Sequence, residues 1–128
     1  MNILTTQGVK IAVLSKFKYV EHRKNFKKYW FSCQISIENT NDFPVQILER
    51  NLNVFSSDIK LTELSGKGIQ GEFPEIKPYT VFTYDTMIFI TAELGYAQGS
   101  YVAYNEQELT FFQVDTPRFP LVVSWKNN

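Results

Sequence analysis

From Tyr29 to Glu38 the chain alternates without a break: Phe31, Cys33, Ile35 and Ile37 fall on one side, Ser32, Gln34, Ser36 and Glu38 on the other. A period of two sends successive side chains to opposite faces of a strand, so this segment demands a sheet with one face buried. The pattern recurs. Val9, Ile11 and Val13 share a side, and that strand is expected to continue through Phe17 and Tyr19 after a twist or a bulge. Residues 45–55 alternate but slip phase between Ile47 and Leu52, which predicts a bulge near Glu49 and Arg50. Further strands are expected over 58–64, 80–90, 101–104, 109–114 and 121–125, with Gly95 and Gly99 flanking a connection before Tyr101. Residues 21–28 read as an exposed hairpin loop, and Asn39–Asp42 as a turn, because Asn and Asp bond their own backbone and tolerate left-handed φ. No segment has helical periodicity. The expectation is an all-β chain: an immunoglobulin or fibronectin type III-like antiparallel β-sandwich of seven to eight strands.

A length of 128 residues fits one domain, 1–128 with a core over about 9–125. Such a chain buries roughly two-thirds of its unfolded surface. Eleven Phe, seven Tyr and two Trp suit a core between two sheets. No apolar run approaches the ~20 residues that cross a bilayer, and residues 1–7 lack a basic, apolar leader. A soluble, cytoplasmic protein without membrane insertion is the expectation. Cys33, the single cysteine, excludes an intramolecular disulfide and a thiolate zinc cluster, and its phase predicts a buried structural thiol. The net charge of zero hides an asymmetry. Residues 1–57 hold eight Lys/Arg against four Asp/Glu, and residues 58–128 hold five against nine. Such a dipole can orient a partner.

Gly66-Lys67-Gly68-Ile69-Gln70-Gly71 matches GxGxxG, the pattern that in dinucleotide-binding folds opens a helix onto a pyrophosphate. Here Pro74 and Pro78 follow, and then a β-branched and aromatic run, so no helix can start and the dinucleotide reading fails. What remains is a candidate phosphate or pyrophosphate site in which Gly66, Lys67, Gly68 and Gly71 combine a backbone anion nest with a mobile cation. The plainer reading of the same residues is that the glycines shape a long inter-strand crossover and Lys67 is solvated. Six of the thirteen basic residues lie between Lys16 and Lys28, interleaved with Phe17, Tyr19 and Phe26. Cations with stacking rings suit single-stranded nucleic acid, but a charged hairpin tip suits a protein better, so Arg23, Lys24, Lys27 and Lys28 form the candidate partner-docking surface. His22 has no nucleophile at a recognisable spacing, and no catalytic residues are assigned. Asp58, Glu63, Glu72, Glu75 and Asp85 offer oxygen ligands to Mg²⁺, with no spacing that fixes a site.

Four stretches together resemble the ApaG family in order and spacing. They are Pro44–Arg50; Gly66-x-Gly68-Ile69-x-Gly71-x-x-Pro74-x-Ile76-x-Pro78; Thr91 through Tyr101; and Thr116-Pro117-x-Phe119-x-Leu121. The resemblance runs from about Val9 to Val123 and implies the fibronectin type III-like sandwich, with a bacterial association to cobalt resistance and magnesium efflux. A sandwich without a membrane span is not itself a transporter. Tyr79 stands where the family usually has Gly after Pro, and Tyr84-Asp85 where Ser-Gly is common. The leading expectation is a non-enzymatic binding or regulatory module with a protein partner. The alternative is a sensor of phosphate, pyrophosphate or nucleotide, with or without Mg²⁺, at Gly66–Gly71.

Overall fold

The computed structural model describes residues 1–125, which form ten strands and no α-helix. In chain order they are β1 (Asn2–Thr6), β2 (Val9–His22), β3 (Lys27–Asn39), β4 (Val45–Ser56), β5 (Ile59–Lys67), β6 (Glu75–Ile76), β7 (Val81–Ile90), β8 (Leu94–Asn105), β9 (Thr110–Asp115) and β10 (Phe119–Val122). Two antiparallel sheets pack face to face. One has the order β1-β2-β3-β7; the other has the order β10-β8-β4-β5, with β6 pairing β4 and β9 pairing β8. The expected antiparallel sandwich is therefore the observed architecture.

The uninterrupted alternation of β3 puts Phe31, Cys33, Ile35 and Ile37 at the centre of the core, each no more than 1% exposed. Val9, Ile11 and Val13 meet them from β2, and Val45, Ile47, Leu52, Val54, Ala97, Tyr101 and Ala103 from the opposite sheet. A fully buried Ile or Phe contributes about 1.5–3 kcal/mol over its exposed form, so this alternation alone specifies which face each strand turns inward. Phe17 makes edge-on contacts with Phe31 and Trp125, both at 5.6 Å, which closes one end of the core.

The expected bulge in β4 is present, and β2 has one after Phe17, later than the twist or bulge expected ahead of Phe17. The β2–β3 register shifts between Phe17 and Tyr19, and the β4–β8 register between Ile47 and Glu49, so the extra residue in β4 is Leu48. Other elements differ from expectation. β1, unmarked by alternation, adds an edge strand before Val9, and β6 adds a two-residue pairing to β4. The hairpin loop contracts to Arg23–Phe26, closed by the Arg23 amide on the Phe26 carbonyl at 2.9 Å, and Lys27 and Lys28 lie within β3. β8 runs unbroken through Gly95 and Gly99. At these two positions a Cβ would strike the backbone carbonyl oxygens of Phe55 and Asn51, so the glycines permit close strand pairing and do not mark a connection.

Candidate functional site

The bulge at Lys18 turns an aromatic row outward. Because β2 shifts phase there, Tyr19 leaves the core side and pairs with Trp30, which in turn pairs with Phe89 of β7. The three rings run across the outer face of the four-stranded sheet, with centroids 6.4 Å apart for Tyr19–Trp30 and 5.1 Å for Trp30–Phe89. Lys28 lies over this row, its Nζ 4.4 Å from the Phe89 centroid and 5.8 Å from that of Trp30. Glu21 anchors the row's polar side by accepting from Trp30 Nε1 at 2.9 Å and pairing with Arg23 at 2.6 Å. Next along the face, Lys16 and Ser32 share a row with Met87, which is 43% exposed; Tyr19 is 52% exposed. The four-stranded sheet and its hairpin tip carry Lys10, Lys16, Lys18, Arg23, Lys24, Lys27 and Lys28 against only Glu21, Glu38 and Asp85. The charge asymmetry of the sequence thus becomes a basic sheet. The four docking candidates Arg23, Lys24, Lys27 and Lys28 gather at the end of this sheet, beside the aromatic row.

The glycine motif is spread over several local structures. Gly66 and Lys67 end β5 as strand residues, in register with Arg50 and Glu49. Gly68 has φ +63°, and a Cβ there would collide with the Glu72 carbonyl. Gln70 and Gly71 follow at φ +49° and +84°. Ile69 and Glu72 exchange both backbone hydrogen bonds, at 2.7 and 2.9 Å, so residues 69–72 make a tight hairpin whose two central residues both have positive φ, as a type I′ turn requires. The amides of Gly68, Ile69 and Glu72 already donate to carbonyls, that of Gly68 to bulged Leu48 at 2.6 Å. The Ile47 amide donates to Pro74 at 3.0 Å. The loop therefore clamps the bulge of β4 and sets Phe73 on the outer face of the six-stranded sheet. There a cleft of about 480 Å³ is lined by Leu48, Glu49, Lys67, Phe73, Val102 and Phe111. It adjoins a polar groove of about 370 Å³ that shares Glu49, Lys67 and Val102 with it.

Beneath the motif lies a cluster that the sequence reading missed. Arg50 reaches inward and donates from Nη1 to the Gly68 carbonyl at 3.0 Å; Gly66 leaves room for its guanidinium. Beside it Tyr84 and Tyr101 share a hydroxyl hydrogen bond of 2.6 Å across the sandwich. Burial raises both phenols above the ordinary tyrosine value, the more so for Tyr101, while the nearby Arg50 charge opposes the rise in each. The pair stays protonated and cross-links the two sheets; it does not supply a base. The signal was available, since carrying the inward phase of Leu52 and Val54 back to position 50 points the arginine into the core.

Other candidates lie apart. Burial pushes the Cys33 thiol up to about 12, which keeps it protonated. Cys33 pairs with Ser15, whereas His22 pairs with Lys27 six residues along β3, about 20 Å away at strand spacing. Asp58 sits in the β4–β5 turn, Glu63 on β5, Glu72 in the tight hairpin, Glu75 on β6 and Asp85 on β7. Among the described residues, no three His, Cys, Asp or Glu side chains converge where a metal ion would need them.

Residues 19–105 match the ApaG domain family. The chain belongs to that family. An ApaG protein of Vibrio cholerae serotype O1 is 31% identical over 115 residues, covering 88% of this chain and 90% of that one. The ApaG protein of Beijerinckia indica is 29% identical over 118 residues, covering 88% and 91%. Two solved structures share the fold. An X-ray structure of a Northeast Structural Genomics Consortium target superposes with a TM-score of 0.86 at 23% identity, covering 92% of this chain and 89% of the other. A crystal structure described as the putative ApaA protein of Bordetella pertussis gives 0.79 at 21% identity, covering 91% and 94%. The ApaG motif that resembles a nucleotide loop is, in this chain, the hairpin clamped on β4.

Proposed function

We propose that this ApaG domain is a binding module without catalytic chemistry, which docks a protein partner on the outer face of its four-stranded sheet. One observation carries the reading: the row Tyr19–Trp30–Phe89 on the sheet's outer face, exposed at Tyr19 and half-buried at Trp30 and Phe89, capped by Lys28 and continued by exposed Met87, with Arg23, Lys24 and Lys27 at its end. Aromatic, Met and Arg side chains are the types that concentrate binding energy at interfaces, and the cations set orientation and association rate. No helix among the described residues is long and apolar enough to cross a membrane. A link to cobalt resistance or magnesium efflux would then run through a partner that this face engages.

Affinity capture from native lysate tests the reading, with the wild-type chain beside Tyr19→Ser combined with Lys28→Glu. The expected result is a stoichiometric partner lost by the variant, whose melting temperature stays close to wild type. Identical partner lists at equal yield would overturn the assignment of this face. The alternative of a phosphate or nucleotide sensor draws support from the consecutive positive-φ residues Gln70 and Gly71 and from Lys67 beside the adjoining grooves. It predicts saturable amide shifts confined to residues 66–71 on addition of pyrophosphate, ATP or Mg²⁺.

A further inference from the structure

β7 is a terminal strand of the four-stranded sheet. In an antiparallel ladder alternate residues turn their N–H and C=O groups toward the partner strand and away from it. On an edge strand the outward set forms a row that water, a nearby side chain or another extended chain can satisfy. The Asp85 carbonyl accepts from Gln70 Nε2 at 2.7 Å, which places Asp85 in the outward set together with Thr83 and Met87.

Natural edges are blunted by shortness, by charge (lysine above all), by proline or a bulge, or by a covering loop. The other edges follow that rule. β1, β9 and β10 have five, six and four residues. β5 has nine, but carries Lys60, Glu63 and Lys67 and a register shift against β4. β7 has ten residues, contains no Lys, Arg or Pro, and pairs with β3 without a shift. Its one charge is Asp85, whose carbonyl is covered by the exposed side chain of Gln70, a single bond that an incoming strand would displace, and Val81 and Met87 on the same face are 55% and 43% exposed.

We infer that β7 is a docking edge where an extended segment of a protein partner adds as a fifth strand, with a cationic residue facing Asp85 and apolar residues facing Val81 and Met87. The inference rests on the binding-module reading and supplies its mode of recognition. Main-chain bonds give affinity and alternate side chains give specificity, as in other strand-addition complexes. The added strand would lie next to Phe89 and so extend the aromatic row. A second copy of this chain fits less well. Registers that overlap most of β7 with its copy set Asp85 opposite, or diagonal to, its own equivalent, and like charges across a ladder repel. Asp85 thus discourages self-pairing and selects a cation.

The test uses the full ¹⁵N-labelled chain and a decapeptide of alternating Thr and Val with a central Lys, beside a twin with Glu at that position. Amide shifts confined to residues 81–90 and their neighbours are expected, with exchange slowed at Thr83 and Met87. The Lys peptide should bind about tenfold more tightly than the Glu twin, and Asp85→Lys should reverse that order. Met87→Pro, which removes one outward N–H and leaves the β3 ladder intact, should weaken both peptides; its melting curve reports retention of the fold. Equal affinities unaffected by Asp85→Lys, shifts elsewhere, or no binding at millimolar peptide would each overturn the inference. The two readings separate in lysate. A partner that survives Met87→Pro but is lost with Tyr19→Ser and Lys28→Glu removes the edge and keeps the docking face.

Discussion

Tyr79 holds φ +61° in the turn before β7, donating its amide to the Asn39 carbonyl at 2.7 Å while its ring stands 69% exposed. A side chain there encounters the Cβ strain that glycine avoids, and the family resemblance places glycine at this position. Tyr79→Gly is expected to stabilise the domain by about 0.5–1 kcal/mol, the relieved strain exceeding the added chain entropy. Urea denaturation measures it. Glu106 is set against its surroundings in another way. Burial raises its pKa, and Glu75 adds to the rise through a hydrogen bond and through its charge. A raised carboxyl pKa contributes stability that is complete below the unfolded value of about 4.3 and lost as pH rises through the folded value. Glu106→Gln should therefore flatten the stability profile on that rise and leave the variant the more stable one at pH 7, as melting temperatures across pH 4–7 would show.

At the scale of elements, the strands that bury one face were legible because burial writes a period of two into the sequence. β3 and β4 appear where their alternation put them, and β7 where its β-branched and aromatic run did. β1 was not legible, since Ile3 and Leu4 are exposed and its place is fixed by pairing to β2. Glycine misled twice, for one reason: backbone approach between strands and backbone reversal use the same residue. Gly95 and Gly99 suggested a break where strands pack closely, and Gly66 suggested a loop where β5 continues. Of the candidate sites, the basic hairpin was visible in composition. The aromatic row was not, because it needs three strands in register. For the glycine hairpin, Gly68→Ala is expected to cost at least about 2 kcal/mol, combining left-handed strain with the clash against Glu72. A variant as stable as wild type would contradict the assigned clamp.

As a whole molecule the domain is two-sided. The four-stranded sheet is basic and presents rings, an open edge and the hairpin tip. The six-stranded sheet carries the Phe73–Phe111 cleft and, at its other end, a stack in which Arg118 lies 3.6 Å over Tyr96 and Tyr96 lies 4.6 Å from Phe55. Site-specific photo-crosslinking in living cells distinguishes the two sides most directly, with benzoylphenylalanine placed singly at Tyr19, Met87, Ile59 and Phe111. These positions are all exposed, so the fold tolerates the probe equally. A discrete adduct from Tyr19 and Met87, and none from Ile59 or Phe111, is the predicted result. Adducts from Ile59 or Phe111 alone, or from all four alike, would contradict docking on the four-stranded sheet.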